Sequence, residues 1–215
     1  MNIFSNQSVV RDYDRYYETE QGKAVDRIER ALIQAQLEQI PDTEMLELGC
    51  GTGHWTGYFC ARGFRVTAID ESDAMLERAG TKNIAGAVFL NADAANLPFP
   101  DHRFSVIASV TMFEFVDDVD RVFDEIERVL KPGGYFIAGW LNALSAMGMN
   151  KGQSDVFRNA RFYTPEEISR MLERFGDPQL SPGVYYSSGF ELLDGTEKQH
   201  AVQPAFIASF VQKKA

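Results

Sequence analysis

Hydrophobic positions along the chain alternate between two kinds of pattern. Short apolar runs mark buried strands at Met45-Leu46-Glu47-Leu48, Arg65–Asp70, Ala87–Leu90, Phe104–Val110 and Tyr135–Trp140. Between them, apolar residues recur at helical spacing. The clearest case is Val119, Val122, Phe123, Ile126, Val129 and Leu130, which Lys131-Pro132-Gly133-Gly134 brings to an end. Tyr58, Phe59 and Ala61 suit a helix, as do Met75 and Leu76 within Asp73–Ala79. Thr164-Pro165-Glu166-Glu167 supplies an N-cap, a proline at the first helical position and a capping-box glutamate. Ile168, Met171, Leu172 and Phe175 follow as the buried face, and Gly176 closes that helix.

Upstream, a helix is predicted from about Gly22, with Val25, Ile28, Leu32 and Ala35 on one face, ending before Pro41. Downstream, Val184-Tyr185-Tyr186 and Phe206–Val211 read as two last strands with no helix between them, hence a hairpin with one strand antiparallel. Strands alternating with helices predict one α/β domain over residues 1–215. Its expected sheet is doubly wound, seven-stranded and mostly parallel, with a C-terminal antiparallel hairpin. Residues 1–40 form an N-terminal helical cap in this reading. Residues 142–160 are polar, small and irregular, too long for a plain connector, and are expected to act as a substrate lid.

The first strand opens into Gly49, Gly51 and Gly53, followed by a helix. Three glycines in five residues remove the Cβ atoms that keep a ligand away from backbone. A pyrophosphate cradle reads G-x-G-x-x-G, and His54-Trp55 does not supply it. Glu47, just before the first glycine, repels a phosphate and suits an ammonium group. Glu47, Asp70, Asp93 and Ser109 all fall at carboxyl ends of strands, the rim where ligands bind in such sheets. Asp70 lies about 20 residues past the loop, where an acid meets ribose hydroxyls. Ser72 is better placed than Asp70 to cap the next helix. Met75 can cover a flat base or serve as core. Asp93 and Ala94 offer a carboxylate and a backbone N–H that suit adenine, and an Asx turn fits the same residues. Tyr13, Tyr16 and Tyr17 either pack an N-terminal helix onto the sheet or form a flap over a ligand.

Glu47-Leu48-Gly49-Cys50-Gly51-Thr52-Gly53 resembles the first motif of the class I S-adenosylmethionine-dependent methyltransferases, and Val129-Leu130-Lys131-Pro132-Gly133-Gly134 is similar to a later segment of them. The resemblance covers roughly residues 40–175, and the order of its motifs is more specific than any one of them. It implies S-adenosylmethionine as cofactor and S-adenosylhomocysteine as product. The cofactor-binding set it implies is Tyr17, Glu47, Gly49, Cys50, Gly51, Gly53, Asp70, Glu71, Met75, Asp93, Ala94 and Ser109. Similar chains carry a Tyr-Asp-x-aromatic-aromatic segment that closes over the cofactor, matched here by Tyr13-Asp14-Arg15-Tyr16-Tyr17. Much of the acceleration of an in-line methyl transfer can come from positioning. The charge disperses as the methyl leaves, so the neutral groups of Ser109–Met112 suit that rim. Glu114 is a candidate base, or the acid that in similar chains caps the next helix. No catalytic residue is assigned.

A net charge of −10 repels a phosphate backbone, and the basic residues are scattered apart from Lys213-Lys214. A nucleic-acid acceptor is therefore not expected, and the polar-Pro-Pro-aromatic segment of nucleic-acid methyltransferases is replaced by Ser109-Val110-Thr111-Met112. No run of about 18 apolar residues offers a membrane-spanning helix. Met1–Asn6 has neither a basic start nor an apolar core, and Cys50 and Cys60 read as buried thiols, so a cytoplasmic protein is expected. His54, His102 and His200 show no metal-ligand spacing. The expected partner is a small molecule, with Phe113, Phe115, Trp140, Met147 and Met149 as pocket wall or as core. A nicotinamide-dependent dehydrogenase lacks its motif here, and a non-catalytic cofactor-binding sensor or subunit is the remaining rival.

Overall fold

The structure is a computed structural model that describes residues 3–187, 189–193 and 202–214. Seven strands form one sheet in the order β3-β2-β1-β4-β5-β7-β6. They are β1 Glu44–Leu48, β2 Arg65–Asp70, β3 Ala87–Asn91, β4 Phe104–Val110, β5 Leu130–Leu141, β6 Gln179–Gly183 and β7 Phe206–Gln212. The first five pair in parallel, with Met45 level with Val66 on one side and Val106 on the other. Strand β7 runs antiparallel to both β5 and β6. Among the described residues, seven α-helices accompany the strands: α1 Gln7–Glu18, α2 Glu20–Leu37, α3 His54–Cys60, α4 Asp73–Gly80, α5 Val119–Val129, α6 Ala146–Met149 and α7 Pro165–Leu172.

Side chains alternate across a strand, so each strand feeds two cores. Met45, Val66, Val106 and Ile137 pack with α2 and α3 through Ile33 and Phe59. Leu46, Leu48, Ile107 and Phe136 pack with α5 and α7 through Phe123, Ile126, Ile168 and Leu172. Every residue of β4 is buried, as expected of a central parallel strand. Helix starts follow their local signals. Ser72 caps α4 by accepting from Met75 N, and Thr164 with Glu167 forms a capping box on α7.

One expectation changes, the position of the sixth strand, and three stretches gain detail. Residues 7–18 are a helix, α1, capped by Asn6, whose side chain accepts from Ser8 N at 2.9 Å. Gly22 does not start α2, which begins at Glu20; a Cβ on Gly22 would sit 1.8 Å from the Tyr16 carbonyl oxygen, so this glycine permits the close turn between α1 and α2. Strand β6 is Gln179–Gly183, not Val184–Tyr186. Val184 has φ +53°, which breaks the extended run, and Tyr186 makes only an isolated bridge to Leu192. Pro182 is tolerated because β6 is an edge. Residues 142–160 hold α6 and a 3₁₀ turn, Lys151–Gln153, and are tied down where Leu141, Ala160 and Phe162 form a small core.

Phe113 and Trp140 are core rather than pocket wall. Both are fully buried, with rings stacked at 4.6 Å. No described helix is long and apolar enough to cross a membrane.

Candidate active site

The carboxyl ends of β1 to β4 meet at a cavity of about 550 Å³. From the glycine loop come Gly49 and Gly51, from the end of β2 Asp70 and Glu71, from α4 Met75, and from the loop after β3 Asp93 and Ala94. The opposite wall is Val110, Thr111, Met112 and Phe115. Two segments roof it: Ile3, Phe4 and Tyr13 at the N-terminal end, and Asp155, Val156 and Asn159 from the long loop.

Chain geometry explains why the loop is glycine-rich. Gly49 and Gly51 have φ of +67° and +53°. A Cβ on Gly49 would collide with Met112 at 2.4 Å, whereas one on Gly51, which lines the cavity, would meet nothing within 4 Å. The bare backbone at Gly51 is therefore not required by packing inside the protein. It leaves room for a ligand, which fits the cofactor implied by the motif.

Asp70 is held in place by the same loop. Its Oδ2 accepts from Gly51 N at 2.8 Å and its Oδ1 from Ser72 N at 2.9 Å. Each oxygen keeps a further lone pair for a ribose hydroxyl. Burial raises the Asp70 carboxyl above the ordinary aspartate range, and the two backbone bonds oppose that. Asp93 makes an Asx turn, accepting from Ala95 N at 2.8 Å, while it also lines the cavity. The turn and the ligand role are compatible.

Five of the residues implied by the resemblance lie off the cavity wall. Glu47 is buried behind the loop, accepts from Thr56 Oγ1 at 2.5 Å, and is pushed up to about 8 by burial and by Asp70 nearby. Cys50 is buried and its thiol is raised well above the ordinary value by burial. Gly53 caps α3 with φ +80°, and a Cβ there would press on Ile84 and Phe89. Ser109 is fully buried, in register between Leu48 and Ala138, and its Oγ has no described partner. Tyr17 stacks on His54 at 3.6 Å. Of the tyrosines, it is Tyr13 that reaches the cavity.

Helix α1 is latched to the loop rather than loose. Asp14 accepts from Thr52 Oγ1 at 2.7 Å and pairs with Arg78 at 2.7 Å and Lys82 at 2.8 Å. The carbonyl of Phe4 accepts from Ser72 Oγ at 2.8 Å. The Tyr-Asp segment was expected as a flap, but nothing in the sequence signalled the Asp14 latch, nor Ile3, Phe4, Asp155, Val156 or Asn159. Glu114 does not cap α5; Asp118 does, accepting from Arg121 N. Glu114 Oε1 instead accepts from Leu141 N at 2.6 Å, its Oε2 is buried without a described partner, and burial pushes the carboxyl up to about 7.

The family described as methyltransferase domain matches residues 46–138, the stretch that carries β1 to β5. Over nearly its whole length (99% of this chain, 100% of the relative) the chain is 28% identical to an uncharacterized protein of Methanocaldococcus jannaschii. It is 40% identical over 97 residues to the fatty-acid O-methyltransferase of Mycolicibacterium smegmatis, covering 43% of this chain but only 35% of that enzyme. Among solved structures, an S-adenosylmethionine-dependent methyltransferase of Thermotoga maritima, described as a possible histamine N-methyltransferase, superposes with a TM-score of 0.74. It is 25% identical and the match covers 97% of this chain and 98% of that one. Sheet order, glycine loop, acid-bearing rim and these likenesses converge: residues 46–138 carry a methyltransferase domain, and the chain is similar in fold and sequence to the class I S-adenosylmethionine-dependent methyltransferases, which use S-adenosylmethionine as cofactor.

Proposed function

We propose that this enzyme methylates a small molecule. The observation that carries the reading is the roof. Tyr13 and Phe4 on one side and Asp155, Val156 and Asn159 on the other border a cavity of about 550 Å³, within the range of small-molecule sites. When bound, the cofactor supplies a methyl group on a positively charged sulfur. In this reading Asp70 and Glu71 hold the ribose, and Asp93, Ala94 and Met75 hold the base. The backbone of Gly49 and Gly51 borders the remainder. Glu47, Cys50, Gly53, Ser109 and Tyr17 act from behind, by setting the shape of the loop and the seat of α1. Val110 to Met112 present a wall without charge, which does not favour the reactant's sulfonium over the dispersed charge of the transition state. The roof excludes water and confines the acceptor.

The test is transfer of a labelled methyl group from S-adenosylmethionine into fractions of a cell extract separated by size. Label is expected in the low-mass fraction. Label found only in protein or nucleic acid overturns the reading.

A further inference from the structure

The chain leaves β4 through a turn that carries one wall of the cavity. Thr111 opens that turn at φ +53°, a left-handed conformation that a β-branched residue adopts only when its surroundings impose it. Phe113–Phe115 follow as a 3₁₀ turn. Phe115 lines the cavity, and both roof segments lean on its ring. Phe4 meets it edge-on at 4.8 Å, and Phe157 of the long segment lies against it at 6.1 Å. Glu114, one position earlier, holds both ends of segment 142–160. Its Oε1 accepts from Leu141 N at 2.6 Å, and its backbone carbonyl accepts from Arg161 N at 2.7 Å. Phe113 adds a third tie, its carbonyl accepting from the Tyr163 hydroxyl at 3.1 Å.

Those three bonds make one turn the hinge from which the wall opposite the cofactor rim hangs. Between its tied ends, the segment supplies Asp155, Val156 and Asn159 to the roof. None of the three bonds involves a residue read above as holding the ribose or the base. The Glu114 side chain is 1% exposed, and its Oε2 has no partner among the described residues. The titratable group closest in influence is Tyr163, with Arg161 over its ring at 5.0 Å, and with Glu167 and Asp120 nearby. Tyr163 is pushed up to about 12 and stays neutral, while Arg161 pairs with Glu167 at 3.3 Å. Burial, opposed by the Leu141 N–H, pushes the Glu114 carboxyl up to about 7.

We propose that Glu114 is a positioning residue for methyl transfer, seating the roof over the methyl acceptor by fixing segment 142–160 at both ends to the turn that carries Phe115. This rests on the small-molecule reading above. Neutral Glu114 keeps the Leu141 bond without burying a charge. Ionised Glu114 leaves a charged oxygen with no protein partner, and water must enter beside Leu141 to solvate it. The ties at the two ends then loosen together, Phe157 parts from Phe115, and the roof opens while the cofactor rim keeps its shape. Confinement of the acceptor is strongest below about pH 7 and is lost as pH rises through it.

The test is limited trypsin digestion of the full chain saturated with S-adenosylhomocysteine, with cut sites read by mass. Lys151 and Arg158 are the cut sites inside the segment. Each rate is taken relative to E114Q at the same pH, which cancels the protease's own pH dependence. Wild type and E114Q should be cut alike at about pH 6, and at about pH 8.5 the wild type should be cut roughly fivefold faster at those two sites and nowhere in the sheet. E114A, which loses the oxygen that Leu141 N donates to, should be cut faster at both pH values. All three should bind S-adenosylhomocysteine within about twofold of one another. In the labelled-methyl assay, low-mass label should fall in the wild type relative to E114Q as pH rises through about 7, and E114A should be roughly tenfold slower throughout. F115A removes the ring on which both roof segments lean; it should speed cutting after Lys151 and Arg158 even at low pH, and it serves where the Glu114 variants do not fold. Equal cutting of wild type and E114Q at high pH, cuts spread through the sheet, label transfer equal in wild type and E114A, or F115A cut no faster than wild type would each overturn the proposal. Label carried only by macromolecules removes the small-molecule reading and the proposal with it, whereas a failed digestion pattern removes the proposal alone.

Discussion

Asp70 is at once ligand and scaffold, and that sets what its removal does. Both oxygens accept from backbone N–H groups that shape the glycine loop. Asp70→Ala should therefore lower cofactor affinity by about 1.5–3 kcal/mol, roughly ten- to a hundredfold, and loosen the loop as well. Asp73→Ala, whose carboxylate accepts only from exposed Asn91, should cost far less. Titration of S-adenosylhomocysteine into both variants checks this, and equal losses would count against the ribose role. Glu114 shows the opposite economy. One oxygen is fixed by Leu141 N, the other is buried without a described partner, and the group ionises only near 7. Glu114→Gln keeps the acceptor and removes the buried charge. It should leave stability at pH 5 nearly unchanged and raise it by about 1–3 kcal/mol at pH 8.5, read from urea unfolding. A loss of stability at pH 8.5 would show that the ionised form is favoured.

At the scale of elements, the two roof segments differ in how they are held. Helix α1 is pinned by Asp14 to Thr52, Arg78 and Lys82, and by Tyr17 on His54. Segment 142–160 is held at its ends, through Asn142, Ala160 and Phe162, with its middle turns largely exposed. Hydrogen exchange without ligand should be slower in α1 than in 142–160, and S-adenosylhomocysteine should slow α1 further. Asp14→Ala cuts three contacts of modest, partly screened strength. It should speed exchange in residues 7–18 severalfold and weaken cofactor binding while the sheet stays protected. Unchanged exchange in α1 would mean that packing alone seats the helix.

Across the whole molecule, buried acids give stability an unusual pH dependence. Glu29 and Glu47 are raised to about 8, Glu114 to about 7, and Asp70 is raised as well. Each holds its proton in the folded state at a pH where the unfolded chain has lost it, so folding takes up protons above about pH 4.5. Their contribution is present at acidic pH and is lost as pH rises through 7 and 8. Asp14, Asp26, Glu125 and Glu167 are lowered by their partners and act the other way, losing their contribution as pH falls below the ordinary carboxylate range. The urea midpoint should peak near pH 5 and fall between pH 5.5 and 8.5. A midpoint that rises over that interval would show that these carboxyls are ionised in the folded chain.

What the sequence alone determined is whatever its neighbours along the chain decide. The strand–glycine–helix unit of β1 and α3, Asp70 at the end of β2, and the capping box of α7 all rest on residues within a few positions of one another, so their physics is written locally. The parallel pairing of the first strands followed from the same alternation of patterns, though their order did not. The rest needed partners brought from far away. Asp14 meets Thr52 across 38 positions, and Glu114 meets Leu141 across 27, so neither role is visible at its own position. Val184 carries the side chain of a strand residue but has a backbone angle that no strand admits, because the chain must turn there. Only the tertiary structure places β7 between β5 and β6, roofs the cavity with two segments far apart in the chain, and buries Glu29 without an ion-pair partner among the described residues. Burial and charge pairing are properties of the packed whole, and a residue's own identity does not contain them.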